Sequence, residues 1–130
     1  MAICGLIESE IAEMDQEDQQ EMLEGLDLGE PARNPFIRAA YGLLDLISFL
    51  TCGEDECRAW PVQPGSNARK AAGKVHSDIE RGFIRAEVFQ LEELEAAGTE
   101  AELKKLGKIR VEGKNYGVQD GDVIHYLFNV

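Results

Sequence analysis

The apolar pattern of the first 45 residues predicts three short helices. Within residues 3–14 the isoleucines recur at every fourth position and glutamates fill the other side, which is typical of an amphipathic helix. Asp15 is a suitable N-cap for a second helix over residues 16–25. Asn34, followed by a proline, predicts the start of a third helix that extends to about residue 44. We therefore expect a helical segment that packs simply against the domain that follows it.

The pattern changes to alternation after residue 45 and predicts a mixed α+β domain. In Ile84, Arg85, Ala86, Glu87 and Val88 the apolar and polar residues alternate, which predicts a strand with its apolar side buried. This strand spans 83–90, and the others are predicted at 47–51, 57–62, 109–111 and 123–130. One helix is predicted at 68–76. Two short helices are predicted within 91–106, where Gly98 divides them and Thr99 caps the second.

Small residues mark the packed side of the helix at 68–76. Ala71, Ala72 and Val75 lie at helical spacing, and side chains of this size let a helix approach a sheet closely. Ser66 or Asn67 is placed to cap its N-terminus. Because this helix lies between strands, we expect it to cover one face of a sheet.

The net charge of −12 is concentrated in the helical segment. Residues 1–34 carry ten acidic side chains and one basic one, whereas residues 35–130 carry fifteen acidic and twelve basic ones. Non-specific binding of nucleic acid needs concentrated positive charge, so the acidic helices disfavour it. The nearly balanced remainder of the chain still has room for a local basic patch.

Cysteine usage and the absence of long apolar runs indicate the compartment. Cys4, Cys52 and Cys57 leave one thiol unpaired in any disulfide scheme, which fits a reducing environment. The alternative, a zinc site that adds His76 and His125, lacks the compact C-x-x-C spacing of structural zinc sites, so free thiols are favoured. No apolar run is long enough to cross a bilayer and no secretory signal opens the chain, so we expect a cytoplasmic location.

The chain carries no phosphate-binding loop. Neither G-x-x-x-x-G-K-[ST] nor a helix-opening G-x-G-x-x-G occurs, and the glycine cluster around Gly65 lacks the lysine. We therefore expect no nucleotide hydrolysis by this chain, no catalytic residue, and no cofactor or metal bound by the chain itself.

Two long stretches resemble the C-terminal region of the YchF / Obg-like ATPase family. They are RAWPVQPGSNARKAAGKVHSDIERGFIRAEV at 58–88 and EGKNYGVQDGDVIHYLFNV at 112–130. The resemblance implies a TGS domain, which has the ubiquitin-like β-grasp fold, over 46–130. It also implies that the acidic helical segment at 1–45 follows a G domain that is missing from this chain.

The resemblance further implies a function. Members of this family are translation-associated P-loop proteins that hydrolyse ATP or GTP, so this chain is expected to be a non-catalytic module that contributes ribosome, RNA or protein binding. ATP or GTP with Mg²⁺ then belongs to the G domain of the full-length parent. The alternative is a regulatory module that docks on its own G domain or on another protein, without RNA contact. Membrane contact is not expected, and the amphipathic helices leave self-association open.

One concentration of basic residues is the candidate binding surface for RNA or a partner. It consists of Arg58, Arg69, Lys70, Lys74, Arg81 and Arg85. Lys70 and Lys74 are one helical turn apart and share a face. Arg58 and Arg85 meet RNA phosphates together only if they project from the same side of the sheet. The competing interpretation, a solvated face paired with nearby glutamates, is slightly favoured, and Trp60 is expected to pack on the sheet.

The turn VHSDIERGF matches a motif of the same family. Its motif positions are His76, Asp78, Gly82 and Phe83. A histidine beside an aspartate is able to form an acid–base pair. A structural role is favoured, because an imidazolium stabilises the end of a helix and an aspartate caps a turn. Asp120 and Asp122, around Gly121, are likewise expected to form a turn and not a metal site.

Overall fold

The computed structural model describes residues 2–53 and 56–130 of the chain. The chain divides into two compact units, one that ends at Leu44 and one that spans Asp45–Val130. No helix in these described ranges is long and apolar enough to span a bilayer. Each unit has its own secondary structure and its own buried apolar residues.

The first unit contains the helices α1 (Gly5–Glu13), α2 (Gln16–Gly25) and α3 (Arg33–Leu43). The side chain of Asp15 accepts hydrogen bonds from the backbone N–H groups of Glu17 and Asp18, so the predicted N-cap of α2 is confirmed. Ile11 of α1 and Leu23 of α2 are buried. The core of this unit is therefore small.

The predicted cap of α3 is wrong. The helix begins at Arg33 after Ala32, and no side chain caps it. Asn34 lies inside the first turn, where its backbone N–H donates to the carbonyl oxygen of Pro31. The backbone N–H of Ala32 donates to Oε2 of Glu8 at 2.9 Å. A carboxylate from α1 thus holds the start of the helix, and local capping signals do not reveal such a distant partner.

The second unit, as described at 45–53 and 56–130, is built on a five-stranded mixed sheet with the order β2-β1-β5-β3-β4. The strands are β1 (Ile47–Cys52), β2 (Cys57–Val62), β3 (Phe83–Gln90), β4 (Arg110–Glu112) and β5 (Asp122–Phe128). β1 pairs antiparallel with β2 and parallel with β5, and β3 pairs antiparallel with β5 and β4. The predicted α+β class is confirmed, and the predicted β1–β2 hairpin is present. Glu54 and Asp55 of its predicted acidic turn lie outside the described residues.

Helices lie on both faces of this sheet. They are α4 (Ala68–Val75), α5 (Ser77–Arg81), α6 (Leu91–Ala97) and α7 (Glu100–Lys105). α4 buries Ala68, Ala71 and Ala72 completely, and Ala71 shares a core cluster with Phe49 and Ile124. The predicted close approach of an alanine-lined helix to the sheet is therefore confirmed. We call the side that carries Phe49 and Ile124 the α4 face.

The opposite side of the sheet, which we call the α7 face, carries the second core cluster. Leu103 of α7 is buried there against Phe89 of β3 and Val123 of β5. The predicted division between α6 and α7 is confirmed, since Gly98 takes a left-handed conformation with φ of 79°. Thr99 then caps α7 as predicted, because its hydroxyl oxygen accepts a hydrogen bond from the backbone N–H of Glu102 at 3.3 Å.

The predicted burial of Ile84 is wrong. The register of β3 against β5 shifts between Phe83, which pairs with Phe128, and Arg85, which pairs with Leu127. Ile84 is the extra residue of this bulge and is 60% exposed, while Phe83 packs against the α4-face core. A bulge inserts one residue and reverses the alternation, which the sequence pattern alone does not show.

Tyr126 has a buried hydroxyl for which no described residue offers a hydrogen-bond partner. Its ring contacts Phe49 and Phe83 edge-on, with centroid distances of 6.3 Å and 6.0 Å, and burial raises the pKa of its phenol. We expect Tyr126→Phe to raise the free energy of unfolding by up to about 1 kcal/mol, because it keeps the ring contacts and removes a buried polar group. Urea denaturation followed by circular dichroism measures the change, and a loss of stability would contradict this expectation.

Candidate binding surface

The helix pair that covers the α4 face also carries the basic residues. The side chain of Asn67 accepts a hydrogen bond from the backbone N–H of Lys70 at 2.9 Å and begins α4, so of the two predicted caps Asn67 is the one used. His76 ends α4 and begins α5. Because the alanines of α4 face the sheet, Arg69, Lys70 and Lys74 remain on its exposed side.

Two of the basic side chains are partly engaged within the helix pair. Arg81 forms a salt bridge with Asp78 at 2.8 Å. Nε of Arg69 donates to the backbone oxygen of Glu80 at 3.1 Å, which ties α4 to α5. Among the described residues, no carboxylate forms a salt bridge with this guanidinium. Both arginines are exposed, so they remain accessible from solvent.

Lys70 and Lys74 are the accessible centre of this surface. Within the described part of the chain neither forms a salt bridge, and both are exposed one helical turn apart. Residues 68–81 together hold four cations and two carboxylates, in a chain whose net charge is −12. We call Arg69, Lys70, Lys74 and Arg81 the basic helix surface.

The other two candidate cations do not share a face. Arg58 lies on the side of Trp60, whose ring packs against the α4-face core, and the guanidinium carbon of Arg58 is 4.4 Å from the ring centroid. Arg85 pairs with Leu127 and lies on the side of Phe89, which belongs to the α7 face. The condition for joint phosphate binding by Arg58 and Arg85 is therefore not met, and the six candidate residues do not form one surface.

The His76–Asp78 pair lies on the protein surface. Nδ1 of His76 accepts a hydrogen bond from the backbone N–H of Asp78 at 3.1 Å and caps α5. The histidine side chain is 63% exposed. His76 thus lies where α4 ends and α5 begins, and the structural role expected for it stays a prediction. The carboxylate of Asp78 binds Arg81.

Gly82 and Phe83 make packing contacts at the end of the same turn. The carbonyl oxygen of Gly82 accepts a hydrogen bond from the backbone N–H of Asn129 at 2.9 Å. A Cβ atom on Gly82 would lie 2.8 Å from the carbonyl carbon of Asn129 and closer still to its oxygen. Phe83 packs against Tyr126 in the core. A hydrogen atom is therefore the only substituent that fits at position 82 without a shift of the backbone.

Asp122 is the centre of a buried polar network that the sequence did not predict. Asp122 is fully buried, and its carboxylate accepts hydrogen bonds from the hydroxyl of Tyr116 at 2.9 Å, the backbone N–H of Gln119 at 2.8 Å and the side-chain amide of Gln90. Arg110 donates to the hydroxyl oxygen of Tyr116 at 3.1 Å and lies 3.8 Å from the carboxylate. Burial, and then the bond to Asp122, raise the pKa of Tyr116 to about 12.

The predicted turn around Gly121 is confirmed, and it ties β1 to the start of β5. Oδ1 of Asp120 accepts from the backbone N–H of Ser48 at 2.8 Å, and the N–H of Gly121 donates to the carbonyl oxygen of Ser48 at 2.9 Å. Gly121 has φ of 78°, which glycine adopts without strain. In the ranges 2–53 and 56–130, no group of three or more His, Cys, Asp or Glu side chains is arranged to hold a metal ion.

A mixed sheet with helices on both faces places the second unit in the α+β class. The family model YchF-GTPase_C, described as a protein of unknown function (DUF933), matches residues 46–129. The chain therefore belongs to the YchF-GTPase_C family.

Individual relatives extend the similarity over the whole chain. "Ribosome-binding ATPase YchF" of Bacillus subtilis is 51% identical over 130 residues, which are 100% of this chain and 36% of that protein. "Obg-like ATPase 1" of Gallus gallus is 43% identical over 96% of this chain and 31% of its own length. The solved structure of the Schizosaccharomyces pombe YchF GTPase is 31% identical, with a TM-score of 0.81 over 91% of this chain and 31% of that one.

The chain thus spans about a third of the length of the curated relatives that it matches, and it corresponds to their C-terminal part. The resemblance found in the sequence is therefore confirmed. The expectation that this segment is not itself the hydrolase agrees with its position in proteins that are named ATPases.

Proposed function

We propose that this chain is the non-catalytic C-terminal module of a ribosome-associated P-loop ATPase, and that its basic helix surface binds RNA phosphates. The ribosome enters this proposal because relatives of the chain are named ribosome-binding ATPases. The observation that carries the proposal is the pair of exposed lysines, Lys70 and Lys74, which share a face and have no salt-bridge partner among the described residues. Phosphate contacts made by such cations position a protein on RNA without reading its sequence.

The charge distribution limits where RNA is able to bind. The helical unit is strongly acidic and repels phosphate, so the attraction is expected in the sheet unit, where α4 and α5 hold four of the cations. Arg69 and Arg81 flank the two lysines and extend the positive potential along the helix pair. Binding of this kind is weak in isolation and depends steeply on salt, which suits a module that adds to contacts made elsewhere in a larger protein.

The proposal also includes the domain organisation and the location of the longer parent protein. The strand order, with β1 and β5 parallel in the centre and α4 across one face, supports a β-grasp TGS domain over 46–130. Residues 1–45 then follow a G domain in the longer parent, and ATP or GTP with Mg²⁺ binds to that domain. Because ribosome association is expected to take place in the cytoplasm, a cytoplasmic location is part of the proposal.

Charge reversal on the basic helix surface tests the RNA contact. We expect the double substitution Lys70→Glu and Lys74→Glu to weaken binding to purified ribosomal subunits at least about tenfold at low salt. The slope of log K against log salt should fall by about 2, one for each phosphate contact that is lost. Sedimentation of the subunits over a salt titration measures both quantities.

A matched control reverses two lysines on another helix. Lys104 and Lys105 of α7 are both exposed, and Lys105 forms a salt bridge with Glu102 at 2.5 Å. Lys104→Glu with Lys105→Glu changes the net charge by the same amount, but it should leave most of the affinity and the salt slope intact. Equal losses in the two variants, or no loss in the first with the fold intact by circular dichroism, would overturn the RNA assignment.

The helical unit favours a second function, which is docking on the protein's own G domain or on another protein. An open groove of about 320 Å³ in this unit is lined largely by apolar residues that include Ile3, Pro31 and Phe36, and Phe36 and Leu43 are 57% and 88% exposed. This interpretation predicts that association with a purified G domain survives Lys70→Glu with Lys74→Glu. Loss of that association in the same variant would contradict it.

A further inference from the structure

We propose that Cys52 and Cys57 form a cross-strand disulfide bond when the protein meets a low-molecular-weight disulfide. The pair closes the end of the β1–β2 hairpin and is a site of reversible oxidation. Both cysteines are free thiols in the structure. This inference is independent of the RNA contact.

The pairing register places the two cysteines directly opposite each other as the last pair of the hairpin. Beyond them, the backbone N–H of Gly53 donates to the carbonyl oxygen of Glu56 at 2.9 Å. Hydrogen-bonded and non-hydrogen-bonded pairs alternate along an antiparallel ladder, so the cysteines form a non-hydrogen-bonded pair, whose Cα atoms are typically about 4.5 Å apart. A disulfide spans Cα separations of about 4.4–6.8 Å, so the strands need not move apart or slide.

The hydrogen bonds of Ser48, at the other end of the hairpin, independently indicate that the cysteines form a non-hydrogen-bonded pair. The backbone N–H and carbonyl oxygen of Ser48 are both bonded on the β5 side, to Asp120 and Gly121. Ser48 therefore forms a non-hydrogen-bonded pair with its partner in β2, Pro61, which has no N–H to offer. The ladder runs without a bulge from there to the cysteines, four residues further along β1, so they have the same pair type.

The two thiols have different surroundings. Cys57 is exposed, whereas Cys52 is half-buried against the α7-face core. Burial is the main cause that raises the pKa of the Cys52 thiol to about 11, followed by a hydrogen bond with Cys57. The exposed thiol is thus the one that meets an oxidant, and the half-buried one completes the bond.

Oxidation proceeds by two thiol–disulfide exchanges. The thiolate of Cys57 attacks one sulfur of the small disulfide RSSR, so that a bond from Cys57 to SR forms and RS⁻ leaves. Cys52 loses its proton and attacks the sulfur of Cys57, and the second RS⁻ leaves. Two protein thiols are oxidised, RSSR is reduced to two RSH, and the two thiol protons pass to the leaving groups. The second step accelerates as pH rises, because Cys52 reacts as its thiolate.

The test uses the 130-residue chain with Cys4→Ser, which removes the third thiol, and oxidised glutathione as the oxidant. Under native conditions we expect a monomer lighter by two hydrogen atoms, and proteolytic peptides joined through Cys52 and Cys57. The matched variant Cys52→Ser, in the same background, should instead carry one stable glutathione adduct at Cys57. The variant Cys57→Ser keeps only the half-buried thiol, so it should react more slowly and form no intramolecular disulfide. Peptide mapping of the unsubstituted chain gives the same readout if the Cys4→Ser variant does not fold.

Two further measurements test whether the disulfide forms because the strands hold the cysteines opposite each other, or only because the cysteines are close in the sequence. Ring closure should slow about tenfold or more in guanidinium chloride, because the ladder no longer holds the thiols together. The oxidised protein should melt about 5 °C or more above the reduced one, and dithiothreitol should reverse the shift. A persistent double glutathione adduct, disulfide-linked dimers as the main product, or equal closure rates in native and denatured protein would each overturn the proposal.

Discussion

Replacing Asp122 with alanine is expected to lower the free energy of unfolding of the sheet unit by about 3–5 kcal/mol. The substitution removes the acceptor of three hydrogen bonds from Gln90, Tyr116 and Gln119. The three bonds are partly buried, and each donor that loses its partner costs about 1 kcal/mol or more. Arg110 also loses the carboxylate that offsets its charge at 3.8 Å.

Urea denaturation of the intact chain measures this loss, and Asp120→Ala is the matched control. Asp120 lies two residues away, is exposed, and accepts one described hydrogen bond, from Ser48. Its removal should cost only about 1 kcal/mol, the typical net value of one such bond. Similar losses for the two variants would show that the buried network contributes no more than a surface turn.

Gly82→Ala is the second substitution with a large expected effect, a loss of about 2–3 kcal/mol of unfolding free energy. The added methyl group meets the carbonyl group of Asn129, which belongs to the backbone and has no rotamer by which to withdraw. The chain after β5 must then move away, and the hydrogen bond from the N–H of Asn129 to Gly82 breaks. Thermal unfolding should show a lower midpoint for the variant.

Gly113→Ala is the control for this second prediction. A Cβ atom at Gly113 meets no atom within 4 Å, and its φ is not in the left-handed region. Its substitution should change stability by no more than about 0.5 kcal/mol, as is usual at open surface positions. A Gly82→Ala variant as stable as Gly113→Ala would show that the segment after β5 adjusts freely.

Local signals in the sequence predicted much of the fold. The side chains of Asp15, Asn67 and Thr99 cap the helices that their positions indicated. The alanines of α4 face the sheet as their spacing predicted. These features are encoded within a few consecutive residues, so they are visible without knowledge of the rest of the molecule.

Features that depend on the pairing of distant residues were not predictable. The bulge that exposes Ile84 is set by the register of β3 on β5. The partners of Asp122 come from β3, from the segment before β5 and from β4, so no local pattern marks it as buried. The six candidate cations were visible in the sequence, but strand order and alternation decide that Arg58 and Arg85 point away from each other.

The position of β5 has a consequence for biosynthesis. It is the last of the described strands to be made, yet it lies between β1 and β3 and joins the two halves of the sheet. Nascent chains fold from their N-terminal side as they emerge, but here the β1–β2 hairpin and the β3–β4 pair share no strand neighbour until β5 arrives. The sheet therefore closes only after its final strand has left the ribosomal exit tunnel, and the long sequence separation of β1 and β5 makes that closure slow.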